Sequence, residues 1–249
     1  GKNVIIKGLI ASQLTYIVSV LPCPSKQQME KIKEIIMNFF WDGKRSKIAF
    51  NNLINSYDEG GINLLDIEAH VKALKVSWIN RLSILMNNSN QWLQLAKICL
   101  GTEPYALFAG NLNLKDLHKQ GTIKSTIWLE ILNYWFEYCY SKPQNVSEIL
   151  AQPLWYNSNI TMDNKPVFIR SAFQENIKCI NDIIDGNGNI LNYMEFRRKY
   201  NIDCHMILYF GLVAAIPQEW KMQLRDNYQR NITPSQSPYI LVNKKKQNY

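Results

Sequence analysis

The side chains in this sequence that come closest to a chemical site surround a DGNG turn, in the stretch INDIIDGNGNILNYMEF at residues 180–196. An EF-hand takes its calcium ligands from loop positions 1, 3, 5, 7, 9 and 12, with glycine at position 6 and a bidentate glutamate at position 12. With Gly188 at position 6, position 1 is Ile183 and Glu195 comes one residue too late. With Asp185 at position 1, an isoleucine occupies position 6. Neither register supplies the ligands, so we expect no calcium site and keep calcium binding only as a hypothesis to test.

A structural interpretation accounts for the same residues. Gly186 and Gly188 predict a tight turn after a helix, because glycine adopts the backbone conformations that such turns require. Asn192 and Glu195 have the spacing of a capping box, in which each side chain satisfies a backbone N–H at the start of a helix. The stretch therefore predicts helix, turn, a short extended pair and a second helix.

Other catalytic patterns are missing from the sequence. Its histidines, His70, His118 and His205, do not have metal-ligand spacing, and neither a P-loop nor a GxSxG motif occurs. The paired aspartates that hold two metal ions in polymerases do not occur either. We therefore expect no self-contained active site, no metal site and no cofactor in this chain.

The cysteines indicate an intracellular protein. They are odd in number, scattered, and never in a CxxC pair, which is typical of reduced, buried thiols rather than a disulfide framework. They are Cys23, Cys99, Cys139, Cys179 and Cys204.

Basic residues give the clearest indication of a partner. The net charge of +8 is compatible with a polyanion, and nucleic acid is the commonest one. A solvated surface is the alternative for each lysine, and core packing is the ordinary role of the seven tryptophans. The candidate phosphate contacts are Lys2, Lys7, Lys44, Arg45, Lys47, Lys72 and Lys75.

Helical periodicity in residues 1–88 predicts a bundle of three helices. The first pattern, from Val4 to Leu21, contains Lys7 and scattered polar residues, so we predict a soluble amphipathic helix and no membrane span. Because the chain starts inside this pattern, we expect it to be a piece of something longer. The apolar stripe consists of Ile6, Leu9, Ile10, Leu14, Ile17 and Leu21.

The two further bundle helices have clear boundaries. The second begins with a capping box of Ser25 and Gln28 and ends before Gly43, which is predicted to adopt the left-handed cap conformation. Asp66 is the predicted N-cap of the third. Its predicted inner face is Val71, Leu74, Trp78, Leu82 and Leu85.

The remaining sequence predicts a less regular helical part. Helices are expected at 91–100, 122–140, 176–184 and from Asn192, and a buried apolar helix at 203–216. A hairpin is expected around the Asp163-Asn164 turn. The fold class is thus mainly α, with a thumb-like helical bundle at 1–88, an irregular helical domain with one or two short hairpins at 89–231, and a flexible basic tail at 232–249.

The order of several motifs resembles the region after the palm in LINE-like non-LTR retrotransposon reverse transcriptases. The likeness starts with GKNVIIKGLIASQLTYIVSVLPCP, NFFWDGKRSKIAFNNLI and YDEGGINLLDIEAHVKALKVSWINRL, which are similar to the thumb of that family. It continues with PLWYNSNI, NKPVFI, INDIIDGNGNILNYMEFRRKYNI and GLVAAIPQEWK, which are similar to the post-thumb region. Phe173 and Asn176 stand where the family usually shows Trp and Gly, and the Cys/His-rich element of some relatives is missing.

The resemblance implies a C-terminal fragment of an RNA-directed DNA polymerase, without catalytic activity of its own. By similarity the seven basic residues above become contacts to the RNA template and DNA primer. The other implied partners are the palm and fingers of the parent protein, whose palm would use Mg²⁺, and the implied location is the nucleus or a cytoplasmic ribonucleoprotein. The alternative is a helical protein-interaction scaffold from a degenerate or domesticated retroelement.

Overall fold

The protein is mainly α-helical, as the sequence predicts. The computed structural model describes residues 1–85, 91–101, 103–119, 123, 125–202 and 204–228. In these residues the strands form one small antiparallel sheet, and nearly all other regular structure is helical. The protein divides into two compact units. The first is Gly1–Arg81 with Thr126–Tyr134, and the second comprises the described residues of Leu82–Ser125 and Trp135–Tyr249.

The predicted domain limits at residues 88 and 231 stay predictions, because both lie outside the described residues, as does the predicted tail. The first unit differs from the predicted bundle in two respects. It ends at Arg81, so that the described residues from Leu82 to Leu85 belong to the second unit, and it includes Thr126–Tyr134, which the sequence pattern places in the second part. The first unit is therefore discontinuous along the chain.

The first unit contains four whole α-helices, a π-helical segment and a 3₁₀ turn, together with parts of two further α-helices. Their bounds are α1 Lys2–Ile5, α2 Ala11–Val20, α3 Lys26–Phe40, α4 Phe50–Ile54, α5 Ile67–Leu85 and α9 Thr126–Cys139, with a π-helical segment at Ile6–Ile10 and a 3₁₀ turn at Tyr57–Glu59. Their apolar side chains form one core cluster, whose fully buried members are Ile6, Val18, Ile36, Leu53, Leu64, Ile67 and Val71.

The first predicted helix is interrupted by the π-helical segment between α1 and α2. A π-turn places about one extra residue in the helix and so rotates the face that follows it. The stripe prediction is correct for Ile6, which is buried, and wrong for Leu9, Ile17 and Leu21, which are 62%, 50% and 53% exposed. By length and composition Lys2–Val20 qualifies as a membrane span, a criterion that signal sequences and mostly buried core helices of soluble proteins also meet; 17% of its apolar window is buried. The expectation of no membrane stays a prediction.

Helix α3 begins as predicted, but the left-handed backbone after it begins one residue earlier than predicted. Ser25 and Gln28 form both hydrogen bonds of the capping box. At the other end Asp42 already has a φ of +52°, and the N–H of Gly43 donates to the carbonyl of Asn38 at 2.8 Å. This six-residue closure is a Schellman motif, in which Asp42 rather than Gly43 is the first left-handed residue.

The two glycines before α5 are required by the backbone. Gly60 closes the 3₁₀ turn with a φ of +78°, a conformation that costs glycine little. A Cβ on Gly61 would lie 2.2 Å from the carbonyl oxygen of Asn55, so only glycine fits there. Asp66 then accepts from the N–H groups of Glu68 and Ala69, which confirms it as the N-cap of α5.

The second unit is built from short helices around buried aromatic side chains. The indole N–H of Trp155 donates to the carbonyl of Ile177 at 2.6 Å, and that of Trp135 donates to the carbonyl of Phe108 at 2.9 Å. Its whole elements are α6 Gln91–Leu100, α7 Pro104–Phe108, α8 Leu114–Lys119, α10 Val146–Leu150, β1 Thr161–Met162, β2 Lys165–Pro166, α11 Arg170–Gln174, α12 Tyr193–Tyr200, α13 Met206–Ala215 and α14 Gln218–Asn227, with a 3₁₀ turn at Ile180–Ile183.

The predicted hairpin is confirmed. Thr161 pairs with Pro166 and Met162 with Lys165, and both turn residues, Asp163 and Asn164, have positive φ. Two successive left-handed residues make the type I′ turn that suits a two-residue hairpin.

Two predictions for this part are wrong. The expected helix at 176–184 is replaced by a left-handed Asn176, with a φ of +60°, and by the 3₁₀ turn at Ile180–Ile183. The Asp182 carboxylate accepts from the N–H groups of Lys178 and Cys179, a local contact that competes with an α-helix. Helix α13 exists but is not buried all round, since Ile207 is 77% exposed.

Candidate nucleic-acid interface

The connection between α3 and α4 carries the most accessible basic cluster among the predicted residues. The Schellman end of α3 turns the chain outward, and every residue from Asp42 to Ala49 is exposed. Within the described part of the chain, the side chains of Lys44, Arg45 and Lys47 make no hydrogen bond or ion pair. Three unpaired cations within four residues are free to contact successive phosphates. We call Lys44, Arg45 and Lys47 the basic loop.

Lys2 lies beside the basic loop and has a partly structural role. Its ammonium donates to the carbonyl of Phe40 at 3.2 Å and lies 2.5 Å from the carboxylate of Asp42. A cation at the end of α3 also meets the negative end of the helix dipole. The Lys2 ammonium hydrogen-bonds the Asp42 carboxylate, and this bond and the charge of Lys2 hold the pKa of Asp42 below its ordinary 3.8. The charge of Lys44 adds to the effect.

Lys7 lies in the π-helical segment and is exposed. Its helix carries further exposed apolar side chains, Val4, Leu9 and Tyr16, at 72%, 62% and 75%. Lys7 is therefore accessible to a polyanion, on a helix whose outer surface is otherwise largely apolar.

Lys72 belongs to a different place in the first unit. Its ammonium forms an i,i+4 pair with Glu68 at 3.4 Å and lies 5.6 Å from the ring centre of Tyr134. The same residues line a cavity of about 360 Å³ together with Cys23 and Lys26. Burial raises the pKa of the Cys23 thiol, against a hydrogen bond with Tyr134 that lowers it. This cavity contains acidic and basic residues in equal number, so its charge does not favour a polyanion.

Lys75 is fully buried in this structure. It occupies the inward position of α5 between Val71 and Ile79, four residues from each. Its ammonium donates to the carbonyl of Leu21 and lies 3.8 Å from the carboxylate of Glu130, which itself accepts from the N–H of Cys23 at 3.0 Å. Lys75 therefore ties the corner after α2 to α9, and in this conformation it has no surface for a phosphate.

The structure thus separates the seven predicted residues into three groups. Lys2 and the basic loop lie together at the end of α3, through the shared neighbour Asp42. Lys7 is exposed on the first helix. Lys72 and Lys75 both belong to α5, but one lines a mixed-charge cavity and the other is part of the core.

Sequence analysis missed the burial of Lys75 and its partner Glu130. A signal for the burial was present, because Lys75 is at i+4 from Val71 and i−4 from Ile79, both inward-facing. No comparable signal marked Glu130, since a single sequence does not show that residues 55 positions apart are in contact.

The turn and the capping box of the DGNG stretch have the structural roles expected for them, whereas the helix expected before the turn is a 3₁₀ turn. The Asp185 carboxylate accepts from the N–H groups of Asn187 and Asn189 at 2.8 and 2.9 Å, closing the turn on itself. Partial burial raises the pKa of Asp185, but these backbone hydrogen bonds outweigh it and the pKa lies below its ordinary value. Asn192 and Glu195 form both bonds of the predicted capping box. The carboxylates of Asp185 and Glu195 thus both accept hydrogen bonds from within the stretch.

Comparison of the chain with protein-family models, with curated proteins and with solved structures finds no match.

Proposed function

We propose that this chain is a non-catalytic C-terminal fragment of a retrotransposon reverse transcriptase, and that its first unit helps to hold template RNA and primer DNA. The observation that carries the proposal is the basic loop, with three exposed cations, none of which forms a salt bridge within the described residues. Cations of this kind attract nucleic acid through its phosphates, without regard to base sequence.

The conformation of several motif residues supports the proposed origin. Gly60 and Gly61 of the GGI motif occupy positions where the backbone needs glycine. Asn176 stands where the resembled family usually has glycine, and its φ of +60° is one that asparagine shares with glycine. The likeness therefore involves positions with specific backbone requirements, in the order in which the family has them.

In this proposal the partners are RNA, DNA and the palm and fingers of a parent polymerase, and the setting is the nucleus or a cytoplasmic ribonucleoprotein. The magnesium-dependent chemistry would belong to the palm, not to this chain. Lys2, Lys7 and the basic loop are the proposed phosphate contacts. Lys72 is a secondary one, and Lys75 is left out because it is buried.

The test is binding of the folded chain to a labelled RNA–DNA hybrid, followed by fluorescence anisotropy across a salt series. We expect binding at low salt that weakens linearly on a log–log plot, with a slope that counts the neutralised phosphates at about 0.7 to 0.9 per contact. A folded sample that does not bind the hybrid at low salt would contradict the proposal.

A helical protein-interaction scaffold is the second candidate, and exposed apolar side chains favour it. On α13, Ile207 and Phe210 are three residues apart and are 77% and 53% exposed. Apolar residues that lie together on a surface can mark a protein contact. A scaffold would form a salt-insensitive complex with a protein and would not bind the hybrid, so the same salt series separates the two candidates.

A further inference from the structure

The second unit contains a small cleft that the proposed function does not use. One wall is a face of α14 made by Gln218, Lys221, Met222 and Arg225, at the i, i+3, i+4, i+7 spacing of a single helical face. The opposite wall is the turn at residues 188–190, and Val213 of α13 completes it. The glycine turn that resembles a calcium loop in sequence therefore faces two cationic side chains.

The charge of the cleft is one-sided. Of the residues that line it, two are cationic and none is acidic. Lys221 is partly buried and, within the described residues, has no ion-pair partner. Burial lowers the pKa of its ammonium, which is the mark of a charge that has lost water without gaining a counter-charge. An anion in the cleft would supply that missing counter-charge.

Arg225 keeps donors available for such an anion. Its Nε lies 3.3 Å from the Asp226 carboxylate, but both side chains are more than half exposed, and an exposed pair of this kind contributes little. The guanidinium has five N–H donors, so its two terminal nitrogens remain for a tetrahedral oxyanion.

The size of the cleft limits the ligand. Its volume is about 250 Å³, below the roughly 300 to 1,000 Å³ that is typical of sites for drug-sized molecules. Gly188 lets the turn pack closely against the end of α14, since a Cβ there would lie 2.6 Å from the Cβ of Tyr228 and 2.8 Å from the carbonyl oxygen of Leu224. The volume of the cleft is ample for a small ion.

We propose that this cleft binds a single phosphate group, held by Lys221 and Arg225 of α14 against the Gly188–Asn189 turn. The group is either free inorganic phosphate or one phosphodiester of a longer molecule, since both present the same oxygens to an ammonium and a guanidinium. This site lies in the second unit and does not depend on the proposed function, whose contacts are in the first.

The test uses the full chain, with inorganic phosphate as the probe and a reporter inside the cleft. Asn187–Gly188 is the one Asn–Gly pair in the sequence, so carbonyl-¹³C asparagine with ¹⁵N-glycine labelling gives a single selected amide signal, that of Gly188. We expect this signal to shift and saturate as phosphate is added at constant ionic strength. Lys221→Gln or Arg225→Gln should each weaken binding roughly tenfold, the effect of one lost charge-assisted hydrogen bond.

Two matched variants are the controls. Lys165→Gln and Arg198→Gln remove the same charges from exposed positions of the second unit outside the cleft, and should leave phosphate binding unchanged. Circular dichroism and thermal melting check that all four variants stay folded. Equal weakening by the control and cleft variants, or a Gly188 signal that does not respond to phosphate, would overturn the proposal.

A second arm identifies the source of the phosphate. Dimethyl phosphate replaces inorganic phosphate and imitates the diester of a nucleic-acid backbone. Saturable binding of both supports a site that takes a backbone phosphate, and binding of inorganic phosphate alone supports a site for the free ion. Loss of hybrid binding by the first unit would not change either result. Failure of the proposed function would therefore leave the phosphate proposal standing, and the reverse also holds.

Discussion

Lys75 and Glu130 lie 3.8 Å apart although 55 residues separate them, and the lysine side chain is fully buried. Each also bonds the corner after α2, Lys75 at the carbonyl of Leu21 and Glu130 at the N–H of Cys23. The pair therefore joins three parts of the first unit. Replacing Glu130 and replacing Lys75 should have different effects on stability.

Glu130→Ala should lower the free energy of unfolding by about 2 to 3 kcal/mol, because it leaves the buried Lys75 ammonium without a counter-charge. The loss is smaller than for a fully enclosed pair, since the Glu130 side chain is 29% exposed. Lys75→Met removes the charge and keeps the volume, so we expect a change within about 1 kcal/mol. Urea denaturation measures both, and a greater loss for Lys75→Met than for Glu130→Ala would contradict this account.

Replacing the basic loop should weaken hybrid binding, and replacing Lys75 should not. The triple variant Lys44→Gln, Arg45→Gln, Lys47→Gln is expected to reduce the log–log salt slope by about 2 to 3, because up to three phosphate contacts are lost. Lys75→Met should bind as the unmodified chain does, because Lys75 is buried. Anisotropy titrations at several salt concentrations measure both effects.

The control for net charge is a matched triple variant in the second unit. Lys165→Gln, Lys178→Gln and Arg198→Gln also remove two lysines and one arginine from exposed positions. If this variant loses as much affinity as the basic-loop variant, the binding depends on total charge and not on the loop.

The Lys2–Asp42 pair should make stability depend on pH in the acid range. The pKa of Asp42 is lower in the folded state than its ordinary 3.8, so the pair stabilises the fold above that value and its contribution disappears as pH falls through the folded pKa. Asp42→Asn keeps a residue that tolerates the left-handed conformation and removes the charge. The stability difference between the two chains should be constant near neutral pH and vanish in acid.

Denaturation at a series of pH values measures this difference. In a Lys2→Met background, the pH-dependent effect of Asp42→Asn should be much smaller, because the main partner that lowers the pKa is gone and only Lys44 remains. A pH dependence that is undiminished without Lys2 would assign it to another group.

Gly188→Ala and Gly186→Ala should differ sharply although the two glycines are neighbours in one turn. At Gly188 the φ of +83° and the contact with Tyr228 and Leu224 both oppose a side chain, and we expect a loss of about 2 kcal/mol or more. At Gly186 a Cβ would meet no atom within 4 Å, so the change should stay within about 0.5 kcal/mol. Urea denaturation of both variants gives the comparison, and similar losses would contradict the turn geometry.

Sequence patterns predicted those parts of the fold in which neighbouring residues decide the structure. The capping boxes at Ser25 and Asn192 and the Asp163-Asn164 hairpin are of this kind, because the contacts that define them join residues within five positions. The helix predicted at 176–184 failed although its isoleucines have helical spacing. There the Asp182 side chain and the left-handed Asn176 favour a different local structure.

The candidate site also has a part that neighbouring residues determine and a part that distant residues determine. The basic loop was predicted because its cations are adjacent in sequence and follow a helix end that turns the chain into solvent. The burial of Lys75 depends on Glu130 and Leu21, which lie far away along the chain. The cleft at α14 likewise combines residues 188–190 with 218–225, and periodicity does not relate two such segments.

The discontinuity of the first unit has a consequence for protein synthesis. Residues 1–81 leave the ribosome well before Thr126–Tyr134, so the emerging chain has Lys75 long before it has Glu130. The first unit cannot reach its final packing until the intervening part of the second has also been translated. Folding of this protein is therefore not strictly sequential from the N-terminus, in contrast to chains whose domains are continuous.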